Sequence, residues 1–388
     1  MARRLLFAAT VPALFLAGTA AASVSKPTTT WAAPEIRAVA AAGLMDAKDV
    51  ASFRANDALA AQELENVVFD LKQRLAPPVE EPLPEPEPVL PVDPAVPVDP
   101  SLPVPAPPAP APPPPVTPAE PKQVPDPAKP VTMAQLDLRL VQSLGLGKAA
   151  NAFTAGARTA GLKVPGRFGT EVVARLLGLR LNHPASQDSL ELLPNDPATR
   201  AEAAYSVAQV LRFTGSEVEG IQSLADSFAL PTFTDWQKRI LATAFARVGM
   251  PYVWGGETDG PQTAFGVSSR GGYDCSGFVW RVYKRQAYTG GGGLSSVLRG
   301  RTTYQMSGEV PVAERIGLAN LEPGDVIFFG NSGPRSQPAQ VGHMGIYAGN
   351  GWFVHSSGYG VALARLDGWY ARQFAWGRRP LTEAGLSS

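Results

Sequence analysis

Twenty-four of this chain's 39 prolines fall between Pro77 and Pro130, and no other feature narrows its folding options so far. Each proline fixes φ and removes a backbone donor, so the stretch can fill neither a helix interior nor a central strand. Pro91, Pro94, Pro97, Pro100 and Pro103 recur every third residue, which is the repeat of a polyproline II helix. Such a segment buries no core and should be a stiff, extended spacer, reaching on the order of 150 Å. The remaining residues must fold around it. The expected divisions are an export signal over 1–22, a helical unit over 23–76, the linker over 77–130, further helices over 131–226, a mixed domain over 232–380 and a tail over 381–388.

The first residues read as a signal peptide. Arg3 and Arg4 precede an apolar run from Leu5 to Ala17, and Gly18-Thr19-Ala20-Ala21-Ala22 offers a small-residue cleavage region. The run is short for a bilayer span. No later stretch is apolar enough to cross a membrane, so the mature chain is expected to be secreted, from near Ser23, without stable membrane insertion. Lys and Arg number 34 and Asp and Glu 34, which leaves no basic field for nucleic acid.

Helical periodicity marks Trp31 to Leu75. Ile36, Val39, Ala40 and Leu44 recur at three and four residues, and Gly43 can close that helix. Leu64, Val67, Val68 and Leu71 share one face of a second helix from about Ala60 to Leu75. The pattern then repeats, because Asn56-Asp57 and Glu63 line up with Asn195-Asp196 and Glu202 at an offset of 139, with a fainter copy at Thr132-Met133-Ala134-Gln135-Leu136. Thr132 with Gln135, and Thr199 with Glu202, have capping-box spacing. His183, within Asn182-His183-Pro184, reads as an ordinary loop histidine.

Trp31-Ala32-Ala33-Pro34-Glu35-Ile36, Leu193-Pro194-Asn195-Asp196-Pro197 and Thr199-Arg200-Ala201-Glu202 resemble the S-layer homology (SLH) module, which usually occurs as three tandem helical repeats. The resemblance implies attachment to secondary cell-wall polysaccharide. A small helical repeat that packs only on itself is the alternative.

The last domain opens on another capping box, Thr234-Asp235-Trp236-Gln237, followed by the apolar stripe Ile240, Leu241, Ala244, Phe245 and Val248 and a stop at Gly249. Cys275, the chain's one cysteine, lies in Asp274-Cys275-Ser276-Gly277 at the start of a helix carrying Phe278, Val279, Val282 and Tyr283, with Gly290 to Gly293 as its breaker. Strands follow. Pro323-Gly324 turns into Asp325 to Phe329, Val341 to Ala348 and Trp352 to Ser357 flank Gly349-Asn350-Gly351, and Val361 to Leu366 adds another. Helices first and strands afterwards give an α+β domain with an antiparallel sheet.

A lone thiol cannot form an internal disulfide. At a helix N-terminus, exposed donors and the helix dipole lower its pKa and favour the nucleophilic thiolate. An imidazole within reach can take the proton, and a third polar group can orient that imidazole. His343 and His355 stand on facing strands, so register decides whether they cooperate. A plain two-residue turn at Asn350-Gly351 pairs His343 with Gly358 and sends His355 to the other face. An odd loop or a bulge pairs His343 with Ser357 and makes His355 its same-face diagonal neighbour, roughly 7–8 Å away by backbone. An odd loop or bulge is therefore expected, with Gly342 and Gly345 leaving room beside His343. A zinc site would lack a fourth ligand, so neither metal nor cofactor is expected.

Tyr252-Val253-Trp254-Gly255-Gly256, Asp274 to Val279, Pro323-Gly324-Asp325-Val326, Gly342 to Tyr347 and Val354-His355 resemble, in order, the motifs of the NlpC/P60 family of papain-like cysteine peptidases. The resemblance covers Thr234 to Pro380. It implies Cys275 as nucleophile, His343 as base, His355 as orienting member and Tyr252 at the oxyanion. It further implies Asp274 and Ser276 at the amino end of the substrate, and Trp254 serves equally well as core or as substrate wall. The implied reaction cleaves an amide in peptidoglycan stem peptides, commonly between D-glutamate and a diamino acid, by an enzyme held to the cell envelope through its repeats. A non-catalytic wall-binding protein and a thiol amidase or acyltransferase are the alternatives. The long connection from Gly256 to Tyr273 and the polar stretch Asn331 to Gln340 depart from the family pattern and bear on substrate choice.

Overall fold

The computed structural model describes residues 30–46, 49–75 and 120–386. The export signal and the body of the proline-rich linker lie outside the described residues, and the polyproline II expectation lies there with them.

Helices α1 (Ala33–Ala41) and α2 (Ala61–Leu75) precede the linker, and α3 (Met133–Ser143), α4 (Gly147–Thr159), α5 (Phe168–Leu176), α6 (Arg200–Val210) and α7 (Gly215–Asp226) follow it. A 3-10 segment, Ala185–Leu190, separates α5 from α6. Gly43, at φ +67°, ends the first helix region as its position suggested. The internal repeat has a structural cause. Just before α2, α3 and α6, the Leu59 N–H donates to the Ala198 carbonyl, Ala198 to Val131 and Val131 to Leu59, at 2.8 to 3.0 Å, closing a ring of three like segments. Arg200 of the third segment reaches into the first, donating to the Phe53 and Asp46 carbonyls and pairing with Glu63.

This ring changes the role of the linker. Residues 33–75 and 120–226 form one helical unit, and the chain re-enters it with Gln62 of α2 bonding Lys122 and Val124. The residues described on the two sides of the proline stretch therefore belong to a single body.

Thr132 and Thr234 form the expected capping boxes with Gln135 and Gln237. Thr199 forms half of one. Its hydroxyl caps the Glu202 N–H at 3.2 Å, but the Glu202 carboxylate turns inward to 3.8 Å from His183 Nε2. Buried there, Glu202 is pushed up to about 7 by desolvation, against the pull of Arg180 and His183. His183 is a loop residue, as expected, but a buried one, with Nδ1 3.2 Å from Glu191 and its ring edge-on to Trp31.

The second body begins with α8 (Asp235–Phe245). Two short ribbons follow, β1 (Glu257–Thr258) with β4 (Gly272–Tyr273) and β2 (Gln262–Ala264) with β3 (Val267–Ser269). Then come α9 (Cys275–Trp280), which runs on as a π-helical turn to Arg285, α10 (Leu294–Val297) and α11 (Thr303–Gly308). The helix thus stops before the glycine run that was expected to break it. The sheet is antiparallel, ordered β8-β7-β6-β5-β9, from β5 (Val326–Gly330), β6 (Val341–Gly349), β7 (Trp352–Ser357), β8 (Gly360–Arg365) and β9 (Phe374–Arg378). Between β8 and β9 stands α12 (Gly368–Gln373). The expected tail instead starts as α13 (Pro380–Glu383), with Leu381 buried and Glu383 bound to Arg378.

One continuous apolar core runs through both bodies. Phe153 of α4 and Phe228, just after α7, meet Trp352 of β7 edge-on, with centroids 6.0 and 5.1 Å away, and Phe168 stacks on Phe245 of α8 at 5.2 Å. Burial of such aromatic surface favours a docked arrangement by several kcal/mol, on the order of 2 kcal/mol per fully buried side chain. A smaller aromatic cluster of Phe329, Phe353, Phe374 and Tyr370 lies under the two sheet histidines.

Candidate active site

The β6–β7 hairpin meets its condition through a bulge. Gly349 pairs with Trp352 across a two-residue turn, the register then shifts at Ala348, and Tyr347 pairs with Phe353 and Ile346 with Val354. Carried forward, this register sets His343 opposite Ser357 and Gly345 opposite His355. The rings meet: His343 Nε2 lies 2.7 Å from His355 Nδ1, with the planes near perpendicular. Tyr370 packs edge-on against His355 at 5.3 Å and Phe329 covers His343 at 5.7 Å. Removal from water favours neutral imidazoles, lowering His343 to about 4 and His355 well below its ordinary value, the latter further by the charge of His343.

Cys275 is the first residue of α9, and Asp274 is its N-cap, accepting from the Gly277 N–H. Two bonds set this helix start against the sheet. Ser356, next to His355, donates to the Tyr273 carbonyl at 2.6 Å, and the Asp274 N–H donates to the Gly256 carbonyl at 3.1 Å. The backbone of Ser276, of Met344 and of Cys275 itself favours the thiolate, and Met344 directly follows His343. The net shift is nonetheless upward. Burial, then the Asp274 charge, push the thiol up to about 12. The expected lowering by the helix terminus is overturned here, because Sγ is almost fully desolvated and stands beside the Asp274 charge.

Tyr252 forms a parallel bridge with Tyr273, and burial together with the nearby thiol raises its pKa, so the phenol keeps its proton. Asp274 and Ser276 are less free than the resemblance implied. Ser276 Oγ donates to Asp274 Oδ1 at 2.9 Å, and Arg301 Nη1 donates to Ser276 Oγ at 2.7 Å and to Asp274 at 3.2 Å. Trp254 is 54% exposed and is not core.

Sequence reasoning missed Arg301, Asp188 and Phe265. Arg301 gathers the site, donating also to Glu257 at 2.9 Å and to the carbonyls of Gly255 and Gly256 at 3.1 and 3.2 Å. Its one sequence signal is its place just before the capping box Thr302 to Gln305. Asp188, on the 3-10 segment of the helical unit, accepts from the Trp254 N–H at 2.9 Å. Among the described residues no cluster suited to a metal ion occurs.

Residues 249–379 match the model of the NlpC/P60 family, so the C-terminal body is a domain of that family. The chain is 34% identical over 134 residues to a probable peptidoglycan endopeptidase, LytE, of Bacillus subtilis, covering 34% of this chain and 30% of that one. It is 30% identical over 143 residues to the murein DD-endopeptidase MepH of Escherichia coli, covering 36% and 44%. The alignment thus spans less than half the length of either relative. Among solved structures it is similar to an NlpC/P60 family protein from Bacillus cereus, at 24% identity over 39% of this chain and 42% of the other, with a TM-score of 0.29.

Proposed function

We propose that this NlpC/P60 domain makes the chain a cysteine endopeptidase of peptidoglycan stem peptides, acting in the cell envelope after export. The observation that carries the reading is the 2.7 Å contact between His343 Nε2 and His355 Nδ1, made on a sheet whose β6 packs against the helix that begins at Cys275. When Nε2–H of His343 donates to His355, its Nδ1 is left unprotonated and can accept the thiol proton. Cys275 Sγ then attacks the scissile carbonyl carbon. The carbonyl oxygen takes up negative charge, and the protonated phenol of Tyr252 is the donor suited to it. The proton on His343 passes to the leaving amine, the C–N bond breaks and a thioester remains. Water, deprotonated by the same imidazole, hydrolyses that thioester and regenerates the thiol.

Burial raises the thiol and lowers the imidazole, which favours the neutral form of each and suits proton transfer that accompanies attack. The bond is read as the one between D-glutamate and the diamino acid. The helical unit is read as the part that meets envelope polysaccharide, while it also braces the peptidase body. Digestion of purified peptidoglycan by the full chain, with products identified by mass, tests the reading. Split stem peptides with new amino groups are expected, and none from Cys275→Ala. Intact muropeptides from both proteins would instead favour a non-catalytic wall-binding protein. Retention of the chain on purified wall polysaccharide, lost when residues 30–226 are blocked by an antibody, is the outcome expected of the helical unit.

A further inference from the structure

Two aromatic side chains flanking the glycines bonded to the start of α9 stay open to solvent. Trp254 is 54% and Phe265 80% exposed, and their ring centroids lie 6.5 Å apart with the planes tilted by 37°. Phe265 takes the first central position of the two-residue turn between β2 and β3, at φ +49°, and Gly266 follows at φ +83°. That geometry favours Asn-Gly. A phenylalanine is held there only at a cost in backbone strain.

The strained position places the ring. Phe265 lies over Gly255, where a Cβ would come within 2.6 Å of its Cε2, so Gly255 is the gap that admits it. The next residue, Gly256, accepts from the Asp274 N–H, so the aromatic pair stands one strand away from Cys275. The helical unit braces the pair from behind. Asp188 holds the Trp254 N–H, its 3-10 segment packs along β3, and Asp196 lies 3.8 Å from Arg270.

We propose that Trp254 and Phe265 form a platform that stacks a sugar ring, so that the chain takes stem peptides still linked to the glycan strand in preference to free peptides. This rests on the peptidase reading above. The residues of a stem peptide are small or charged, and none has a flat apolar surface that would cover two aromatic rings. A pyranose has one. Its axial C–H bonds form an apolar, slightly positive face that suits the negative face of a π system. Of the charges around the pair, Asp188 is engaged by the Trp254 N–H, and Arg301 and Glu257 are bonded to each other.

The test compares a disaccharide-linked tetrapeptide with the same tetrapeptide free, using the full chain. The ratio of the two kcat/KM values is expected to favour the linked substrate and to fall about five- to tenfold in Phe265→Asn and in Trp254→Ala. Phe265→Asn suits the turn, so its Tm should equal or exceed that of the parent and exclude misfolding as the cause. An unchanged ratio in both variants overturns the proposal. So does a rise in activity on both substrates, which would mark the pair as the seat of a covering segment. Calorimetric binding of both compounds to Cys275→Ala reads the platform without turnover. Tighter binding of the linked compound, lost in Cys275→Ala/Phe265→Asn, supports it even where the peptidase reading fails, and equal binding overturns it.

Discussion

At Gly345 a Cβ would stand 2.8 Å from the Val354 carbonyl oxygen, 2.9 Å from the Phe353 ring and 3.1 Å from the His355 Cβ. The missing side chain is what lets His355 approach His343. Gly345→Ala should therefore lower kcat by about 10²-fold, in line with a small misplacement of a catalytic group, with a much smaller change in KM. Gly342, also expected to leave room, has open space around it, so Gly342→Ala is the matched control. The pH profile is a second residue-level outcome. Burial lowers His343 to about 4, and only the neutral ring accepts a proton, so activity is lost as pH falls through that value. Half-maximal kcat/KM on the acid side is expected well below pH 6, and a midpoint at or above 6.5 would contradict the buried imidazole. The identities of Cys275, His343 and His355 were legible from residue type and neighbours. The state of the thiol was not, because burial is a tertiary property that overrides the local helix terminus.

At the scale of elements, the hairpin was legible to the level of register, because a buried face penalises a one-residue slip. The sequence left the choice between an odd loop and a bulge open, and the chain uses a bulge at Ala348 with a two-residue turn. Left unread were β9, the short β2–β3 ribbon and Arg301, whose side-chain partners lie on two segments, 255–257 and 274–276, that meet only on folding. Arg301 reaches Glu257, Asp274, Ser276 and two glycine carbonyls through its planar fork, which an ammonium cannot reproduce. Arg301→Lys should lower kcat about tenfold or more by loosening the start of α9. The acid limb set by His343 should stay where it is, which stopped-flow or initial-rate profiles can check. A shifted limb would mean that Arg301 acts on the imidazole and not on the helix start.

The whole molecule differs most from its linear reading, since the proline stretch suggested an arm and the folded flanks form one body docked on the peptidase. Contacts between distant segments, such as Phe153 with Trp352, leave no trace in local composition. Charge is buried at this junction as well. Glu171 of α5 is pushed up to about 7 by desolvation first and the Asp137 charge second, despite Arg180, Arg175 and Arg167. Its ordinary value is 4.5, so between those values the folded state holds a proton that the unfolded chain releases, and stability falls as pH rises from about 4.5 to about 7. Neither carboxylate oxygen has a hydrogen bond to lose. Glu171→Gln should thus raise Tm by several degrees at pH 8 and leave it nearly unchanged at pH 5 by scanning calorimetry. A lower Tm at pH 8 would show the arginines to outweigh burial. The central claim is that Cys275, served by the two histidines, forms a covalent acyl-enzyme with a peptidoglycan stem peptide. Rapid-quench intact-mass measurement of the full chain with a disaccharide-tetrapeptide tests it most directly. The expected result is a transient thioester adduct of the acyl fragment, mapped to the peptide containing Cys275 and absent in Cys275→Ala. Substrate cleavage that persists in Cys275→Ala, with no adduct on the parent chain, would contradict it.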